Sequence, residues 1–203
     1  MKNIAIVLFD RVEVLDFAGP FEVFSVCGAH GEHKGIFNVY TVAERTPVTA
    51  RGGLVVTPDY LLDDCPSPDI LLVPGGGGYT DSGLPFGSRK EMNNPILLDW
   101  VRRQNESAEL VLSVCTGSLI LANAGLLDGL SATTHWKAID QLKDAAPKTS
   151  VIDDQRWVDN GRVISSAGVS AGIDMSLYVI EKLLGKTVAN DTARSMEYDH
   201  WKS

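Results

Sequence analysis

The chain has 203 residues, 44% of them hydrophobic and 22% charged, which is typical of a globular protein large enough to bury a core unaided. Its formal net charge of −8 argues against nucleic-acid or anionic-membrane partners, because both would repel it. The three cysteines, at positions 27, 65 and 115, are too irregularly spaced to predict a disulfide framework or structural zinc. We therefore expect one cytoplasmic domain over residues 1–203 with no metal site.

Strands and helices are predicted to alternate through the first half of the chain. The continuous apolar run NIAIVLF predicts a parallel strand that is buried on both faces. The predicted elements of this half are a strand at 3–9, a helix at 13–27 interrupted by Gly19-Pro20, a strand at 37–43, a turn and short strand at 51–56, a buried strand at 69–74 that runs into four glycines, and an amphipathic helix at 95–104.

The second half continues the same alternation. Its predicted elements are a strand at 110–114, a helix at 118–124, a strand-like segment at 132–134, a helix at 137–145, a hairpin of 151–158 with 162–165 around Asn160-Gly161, and a last long helix at 170–184. The uncharged run 110–127 approaches the length of a membrane span, but its small and polar residues favour a strand, a turn and a helix. The pattern predicts an α/β sandwich whose sheet is mostly parallel.

Cys115 directly follows a predicted buried strand and precedes small residues. Ligands bind at the carboxyl ends of strands in open α/β sheets, so a nucleophile is expected at this position. The turn VCTG resembles a nucleophile elbow, and a helix that starts at Thr116 is expected to lower the pKa of the thiol. The alternative is an unreactive core thiol, which is the interpretation we favour for Cys27 and Cys65.

A second glycine-rich turn, PGGGG at 74–78, also follows a buried strand. Glycines let the backbone approach a ligand closely, so an N–H of Gly75 or Gly76, together with that of Thr116, is a candidate oxyanion hole. No GK[ST] follows, which excludes a P-loop, while a plain connecting loop stays open as an alternative.

Five motifs, in order along nearly the whole chain, resemble the ThiJ/PfpI family of the class I glutamine amidotransferase-like superfamily. They are LDFAGPFEVF at 15–24, PGGGG at 74–78, VCTGSLILANAGLLDG at 114–129, ATTHW at 132–136 and SSAGVSAGID at 165–174. Each motif is weak alone, but five in order are specific. The resemblance implies a flavodoxin-like three-layer α/β sandwich with a nucleophile elbow, and the motifs are most similar to the isonitrile hydratase branch.

That branch adds water to an isonitrile and gives an N-substituted formamide, a lyase reaction that needs no metal or organic cofactor. The resemblance implies that Cys115 is the nucleophile, that Asp16 is the general acid and then the base, and that Thr116 holds substrate or water. Many relatives carry a glutamate at the acidic position. The residues alone leave open that Asp16 instead caps the turn at Gly19. Relatives commonly form two-fold dimers, so we expect a homodimer that acts on a small molecule.

Two further residues are candidates for the site. Some relatives use a histidine near the cysteine, and His135 lies at a matching distance, but the neighbouring Trp136 favours a structural role in a packed turn. Asp174, near the start of the last predicted helix, is expected to cap backbone N–H groups near the site.

Two other functions stay open. One is a different cysteine enzyme of the same family, an amidase, protease-like hydrolase or glyoxalase, that relies on Cys115 and His135. The other is a non-catalytic ligand-sensing or redox-sensing domain like those of AraC-type regulators. Such regulators carry a helix-turn-helix domain after the sensor, and the sequence ends at Ser203, soon after the last predicted helix. A DNA-binding role is therefore not expected.

Overall fold

The computed structural model describes residues 1–28 and 35–199. The strands, in chain order, are β1 (Lys2–Leu8), β2 (Phe37–Ala43), β3 (Val48–Thr49), β4 (Val55–Val56), β5 (Tyr60–Leu61), β6 (Ile70–Val73), β7 (Gly77–Tyr79), β8 (Pro85–Gly87), β9 (Leu110–Val114), β10 (Ser131–Ala132), β11 (Ser150–Val151), β12 (Trp157–Asp159) and β13 (Val163–Ser166). The α-helices are α1 (Val14–Val26), α2 (Ser88–Glu91), α3 (Pro95–Ser107), α4 (Gly117–Asn123), α5 (Ile139–Ala145), α6 (Ala171–Leu184) and α7 (Lys186–Ser195).

The central sheet has seven strands in the order β12-β13-β9-β6-β1-β2-β5. Neighbouring strands run parallel except in the β12–β13 hairpin. The strands β2-β1-β6-β9-β13 follow the flavodoxin-like order, in which the chain reverses direction across the sheet between β1 and β6. The predicted fold class is confirmed, and the carboxyl ends of β1, β6 and β9 meet at this switch point.

Helices cover the sheet in two groups, which explains why its strands are apolar without alternation. The helices α1, α6 and α7 pack on one another, and α4 packs on α2, α3 and α5. Every residue of β6 and β9 is buried between these layers. Residues 110–127 form β9, a turn and α4, as predicted, and no helix within the described ranges is long and apolar enough to cross a membrane.

The first helix is continuous, so the predicted interruption at Gly19-Pro20 is wrong. Pro20 lies inside α1 and its ring is buried. Gly19 allows α6 to pack closely, because a Cβ there would lie 2.9 Å from the Cγ1 of Ile173. Tertiary packing of α1 on α6 therefore overrides the local cost of proline in a helix.

The segment predicted as one strand at 151–158 divides between two sheets. Val151 in β11 pairs with Ala132 in β10, whereas β12 forms the predicted hairpin with β13. The hairpin turn is confirmed, since the N–H of Asn160 donates to the carbonyl of Val163 at 3.0 Å. The intervening residues include exposed Asp153, which contributes no apolar face to pair with the sheet.

A helix follows the one predicted to be last. Gly185, at φ 91°, ends α6 and begins α7. The buried residues of α7 are small or polar, namely Ala189, Thr192 and Ala193, so no run of large apolar residues marks this helix in the sequence.

Candidate active site

Cys115 occupies the tight turn between β9 and α4, with a backbone φ of 55°. Such a positive φ is uncommon for a residue with a Cβ and is held in place by its surroundings. The Cys115 N–H donates to the carbonyls of Ser166 and Ala167, and the Cys115 carbonyl accepts from the hydroxyls of Ser118 and Thr134. The predicted tight strand-to-helix turn at Cys115 is therefore present.

Small residues make this turn possible. A Cβ on Gly117 would lie 2.0 Å from the carbonyl oxygen of Val73, so any larger residue would separate α4 from β6. A Cβ on Gly75 would lie 2.4 Å from the backbone nitrogen of Thr116. The glycine-rich turn and the elbow are therefore packed backbone to backbone.

Asp16 lies in the first turn of α1 and is fully buried. Its Oδ2 accepts the N–H of Gly75 at 3.0 Å, whereas Oδ1 has no hydrogen-bond partner in the described part of the chain. The thiol of Cys115 approaches this carboxyl closely enough to influence its pKa. Burial raises the pKa of Asp16 to about 7, against the opposing effects of the Gly75 N–H and the Arg51 guanidinium. The alternative in which Asp16 caps the turn at Gly19 is not what the structure shows.

Thr116 is the centre of a small hydroxyl network. The Gly76 N–H donates to Thr116 Oγ1 at 3.1 Å, and the Ser88 hydroxyl donates to the Gly76 carbonyl at 2.7 Å. Since that bond uses the proton of Ser88, Thr116 must be the donor across the 2.7 Å between the two hydroxyl oxygens. The Thr116 proton thus has two acceptors in reach, Ser88 Oγ and the sulfur of Cys115, whose pKa it lowers.

The backbone donors around the sulfur differ in part from those predicted, because the Thr116 N–H was expected there and the Val169 N–H was not. The N–H groups of Gly75 and Gly76 already donate to side chains, so neither is free for an oxyanion. The N–H groups of Thr116 and Val169 lie close enough to the sulfur of Cys115 to lower its pKa. Val169 also has a positive φ, 51°, which shows that its backbone is held in an uncommon conformation.

The predicted lowering of the Cys115 pKa is wrong in direction. Burial raises the pKa of this thiol to about 12, and the negative charge of Asp16 adds to the rise. The N–H groups of Thr116 and Val169 act in the opposite direction but are outweighed. The thiol and the carboxyl are therefore a coupled pair that shares its protons.

His135 is half-buried, but Trp136, whose presence predicted a packed turn, is 71% exposed, so that packing is not what the structure shows. The Nδ1 of His135 accepts the Lys137 N–H at 3.2 Å, and its ring stacks on Trp136. A Cβ on Gly168 would lie 2.3 Å from His135 Cδ2, so the ring rests directly on this backbone. Burial lowers the His135 pKa, and the charges of Arg89 and Lys137 lower it further.

Asp174 does not cap backbone N–H groups, which corrects the prediction. It is buried in α6, where it forms an ion pair with Arg156 and accepts the hydroxyl of Tyr198 at 2.8 Å. Its contacts tie α6 to the segment before β12 and to the residues after α7. Within the described ranges, no group of three or more metal-ligating side chains could hold an ion.

A protein-family model described as the DJ-1/PfpI family matches residues 2–182. The chain belongs to the DJ-1/PfpI family. This finding confirms the resemblance that the five sequence motifs indicated, because ThiJ/PfpI and DJ-1/PfpI denote the same family.

Individual DJ-1/PfpI relatives differ in function. The chain is 35% identical to an isonitrile hydratase of Pseudomonas putida over 197 residues, which cover 97% of this chain and 78% of that one. It is 32% identical to the HTH-type transcriptional regulator CdhR of Pseudomonas aeruginosa, covering 90% of this chain but about half (51%) of the regulator. A crystal structure of a ThiJ/PfpI family protein from Pseudomonas syringae matches with a TM-score of 0.83 at 31% identity, covering 98% of this chain and 75% of that chain.

Three residues of this DJ-1/PfpI site were missed by sequence analysis. Ser88 and Arg89 reach Thr116 because the β7–β8 hairpin, which was not predicted, folds the chain back over the elbow. Val169 lies inside the SSAGVSAGID motif, but nothing in that pattern indicates that its N–H meets the sulfur.

Proposed function

We propose that the protein is an isonitrile hydratase, which adds water to R–N≡C and releases an N-substituted formamide. The observation that carries the proposal is the buried Asp16 carboxyl, with a pKa of about 7, beside the Cys115 thiol at the elbow. An isonitrile carbon must accept both a nucleophile and a proton, and this pair supplies both from adjacent positions. The similarity to an isonitrile hydratase of Pseudomonas putida supports the same activity.

In the first step, the Cys115 sulfur forms a bond to the isonitrile carbon. Ionised Asp16 takes the thiol proton and delivers it to that carbon, which gives the thioimidate Cys–S–CH=N–R and restores the carboxylate. The N–H groups of Thr116 and Val169 stabilise negative charge on the sulfur while the proton is in transit.

In the second step, water attacks the thioimidate carbon. Asp16 accepts a water proton as the C–O bond forms and passes it to nitrogen, which gives Cys–S–CH(OH)–NH–R. The C–S bond then breaks, the hydroxyl proton returns to sulfur through Asp16, and O=CH–NH–R leaves. The Thr116 hydroxyl, held by Gly76 and Ser88, orients the water.

The proposal is tested by incubating the purified protein with several isonitriles and measuring formamide products by mass spectrometry. Methylglyoxal, assayed in parallel, tests the glyoxalase alternative. Formamide production from an isonitrile supports the hydratase. Lactate production from methylglyoxal, with no formamide from any isonitrile, supports the glyoxalase.

A ligand-sensing role is the second candidate, because the chain is 32% identical to part of a transcriptional regulator. A sensor binds its ligand without turnover. Ligand binding detected by calorimetry, together with no product from any isonitrile or from methylglyoxal, supports this candidate over the hydratase.

The rate of hydration is expected to fall as the pH drops below about 7. The reactive form carries one proton between Asp16 and Cys115, and a second proton binds with the pKa of Asp16, about 7. At lower pH both groups are neutral and nothing accepts the thiol proton. A profile of kcat/KM from pH 5 to 9 measures this, and a flat profile over that range contradicts the assignment.

We further propose that the protein is a cytoplasmic homodimer. The exposed fraction of Leu15 on α1 is 38% and that of Val55 on β4 is 60%, so apolar surface is available near both elements. Light scattering at micromolar concentration is expected to give twice the mass of the 21.9 kDa chain, and the monomer mass would contradict the proposal.

A further inference from the structure

Arg89 is a half-buried cation beside the elbow, and no acidic side chain among residues 1–28 and 35–199 forms an ion pair with it. It lies in α2, directly after Ser88. Its burial is sufficient to lower its own pKa. A half-buried guanidinium without a carboxylate is unusual in a chain of net charge −8, because burial of an unpaired charge is costly.

The contacts of Arg89 leave most of its donors unused. Its Nε donates to Gln141 Oε1 at 3.2 Å, and its Nη1 lies 3.5 Å from Thr116 Oγ1. Gln141 in turn donates to the hydroxyl of Tyr79 at 3.1 Å, so neutral side chains hold the guanidinium in position. These contacts occupy two of its five N–H donors, and the planar fork is suited to a bidentate acceptor.

Arg89 keeps its positive charge although the site also contains Asp16, because the Asp16 carboxylate accepts the N–H of Gly75 and, within the described part of the chain, the Arg89 guanidinium contacts only Gln141 and Thr116 through hydrogen bonds. Lys137 lies 5.0 Å from the ring centre of Trp136 and, like Arg89, forms no ion pair among the described residues. The nearby carboxylate of Glu13 is already paired with Arg51. An anionic ligand therefore meets an unneutralised cation next to the nucleophile.

We propose that Arg89 binds a carboxylate of the substrate, so that the preferred substrates are isonitriles that carry a carboxylate near the isonitrile group. This inference rests on the proposed hydratase activity. Arg89 reaches Thr116, the residue after the nucleophile, so only a short spacer fits between the carboxylate and the reacting carbon. The class that satisfies both contacts is the small isocyano acids, with the acid on the guanidinium and the isonitrile carbon at Cys115.

The test compares isocyanoacetate with its methyl ester, a pair that differs only in the charged group. The wild-type protein is expected to prefer the acid in kcat/KM, and Arg89→Gln is expected to lower the acid-to-ester ratio about 10- to 100-fold, as loss of a charge-assisted pair implies. Arg89→Lys keeps the positive charge but lacks the planar guanidinium, so its acid-to-ester ratio is expected to lie between those of the wild type and Arg89→Gln. Arg103→Gln, on the exposed face of α3, is the matched control and leaves the ratio unchanged.

A binding measurement separates this inference from the proposed function. N-formylglycine, the hydration product of isocyanoacetate, is titrated calorimetrically into the wild type and Arg89→Gln, with its methyl ester as control. If N-formylglycine binds through Arg89 but no isonitrile is hydrated, the carboxylate site stands and the hydratase proposal fails. If both isonitriles are hydrated equally well, or Arg89→Gln lowers both rates by the same factor, the carboxylate site is overturned. If no isonitrile is hydrated and N-formylglycine does not bind, both the hydratase proposal and the carboxylate site are overturned.

Discussion

Replacing Cys115 with alanine is expected to abolish formamide production. The elbow presents one sulfur to the site, and the proposed thioimidate cannot form without it. Cys115→Ser keeps the geometry of the turn but provides a hydroxyl that is a far weaker nucleophile, so only trace activity is expected. Product formation is measured by mass spectrometry under saturating isonitrile.

The matched control is Cys65→Ala, which removes a half-buried thiol whose sulfur contacts the carbonyl of Leu62 in a loop. This variant is expected to retain wild-type activity. If Cys115→Ala keeps substantial turnover while its unfolding midpoint is unchanged, covalent catalysis at the elbow is ruled out. A mass increase on wild-type Cys115 equal to the isonitrile, found under rapid quenching, would identify the thioimidate directly.

The strands that position the site could be predicted because each is a continuous apolar run. The apolar runs form β1, β6 and β9, which are buried except at the first two residues of β1, and a continuous apolar run can be recognised without knowledge of distant contacts. The order of the strands then brings their carboxyl ends together at the switch point. The position of the candidate site could therefore be predicted from the sequence.

The pKa values and the free hydrogen-bond donors of the site could not be predicted, because they depend on how deeply each group is buried and on what it contacts. A cysteine at the start of a helix suggests a lowered pKa, yet burial next to Asp16 raises the pKa of Cys115 to about 12. The glycine-rich turn likewise suggested free donors, whereas the N–H groups of Gly75 and Gly76 meet side chains from other parts of the chain. Both features depend on tertiary contacts.

Arg89 was missed for the same reason, since its place in the site depends on tertiary contacts. No motif marks this residue, and its distance from Thr116 follows from the β7–β8 hairpin, whose short strands contain three glycines and a proline. Glycine and proline weaken any strand signal, so no element was predicted between the glycine-rich turn and the helix at 95–104. The substrate contact we propose there thus depends on the least predictable part of the site.

Asp16→Asn is expected to lower kcat by about 10²- to 10⁴-fold, the usual contribution of a general acid–base group. Asparagine keeps an oxygen for the N–H of Gly75 but cannot exchange a proton with Cys115 or with the isonitrile carbon. The remaining activity is expected to lose the dependence on pH near 7 that Asp16 causes.

Two other variants rank the site residues. His135→Ala removes a ring that contacts Lys137 and Trp136, and it is expected to lower kcat much less than Asp16→Asn does. The loss of kcat in Thr116→Val is expected to lie between these two. The reverse ranking, with His135 essential, would favour the Cys–His hydrolase.

Asp16→Asn is also expected to stabilise the fold at pH 8. Burial raises the pKa of Asp16 from 3.8 to about 7, so above pH 7 the folded protein holds a buried charge that the unfolded chain solvates easily. Asparagine removes that penalty, which is on the order of a few kcal/mol. The gain in unfolding free energy, measured by urea denaturation, is expected to shrink as the pH falls from about 7 toward 3.8, where Asp16 is neutral in the folded state and increasingly neutral in the unfolded state. A variant that is both less active and more stable would identify Asp16 as a residue kept for catalysis at a cost to stability, whereas equal losses of both would mean that its role is structural.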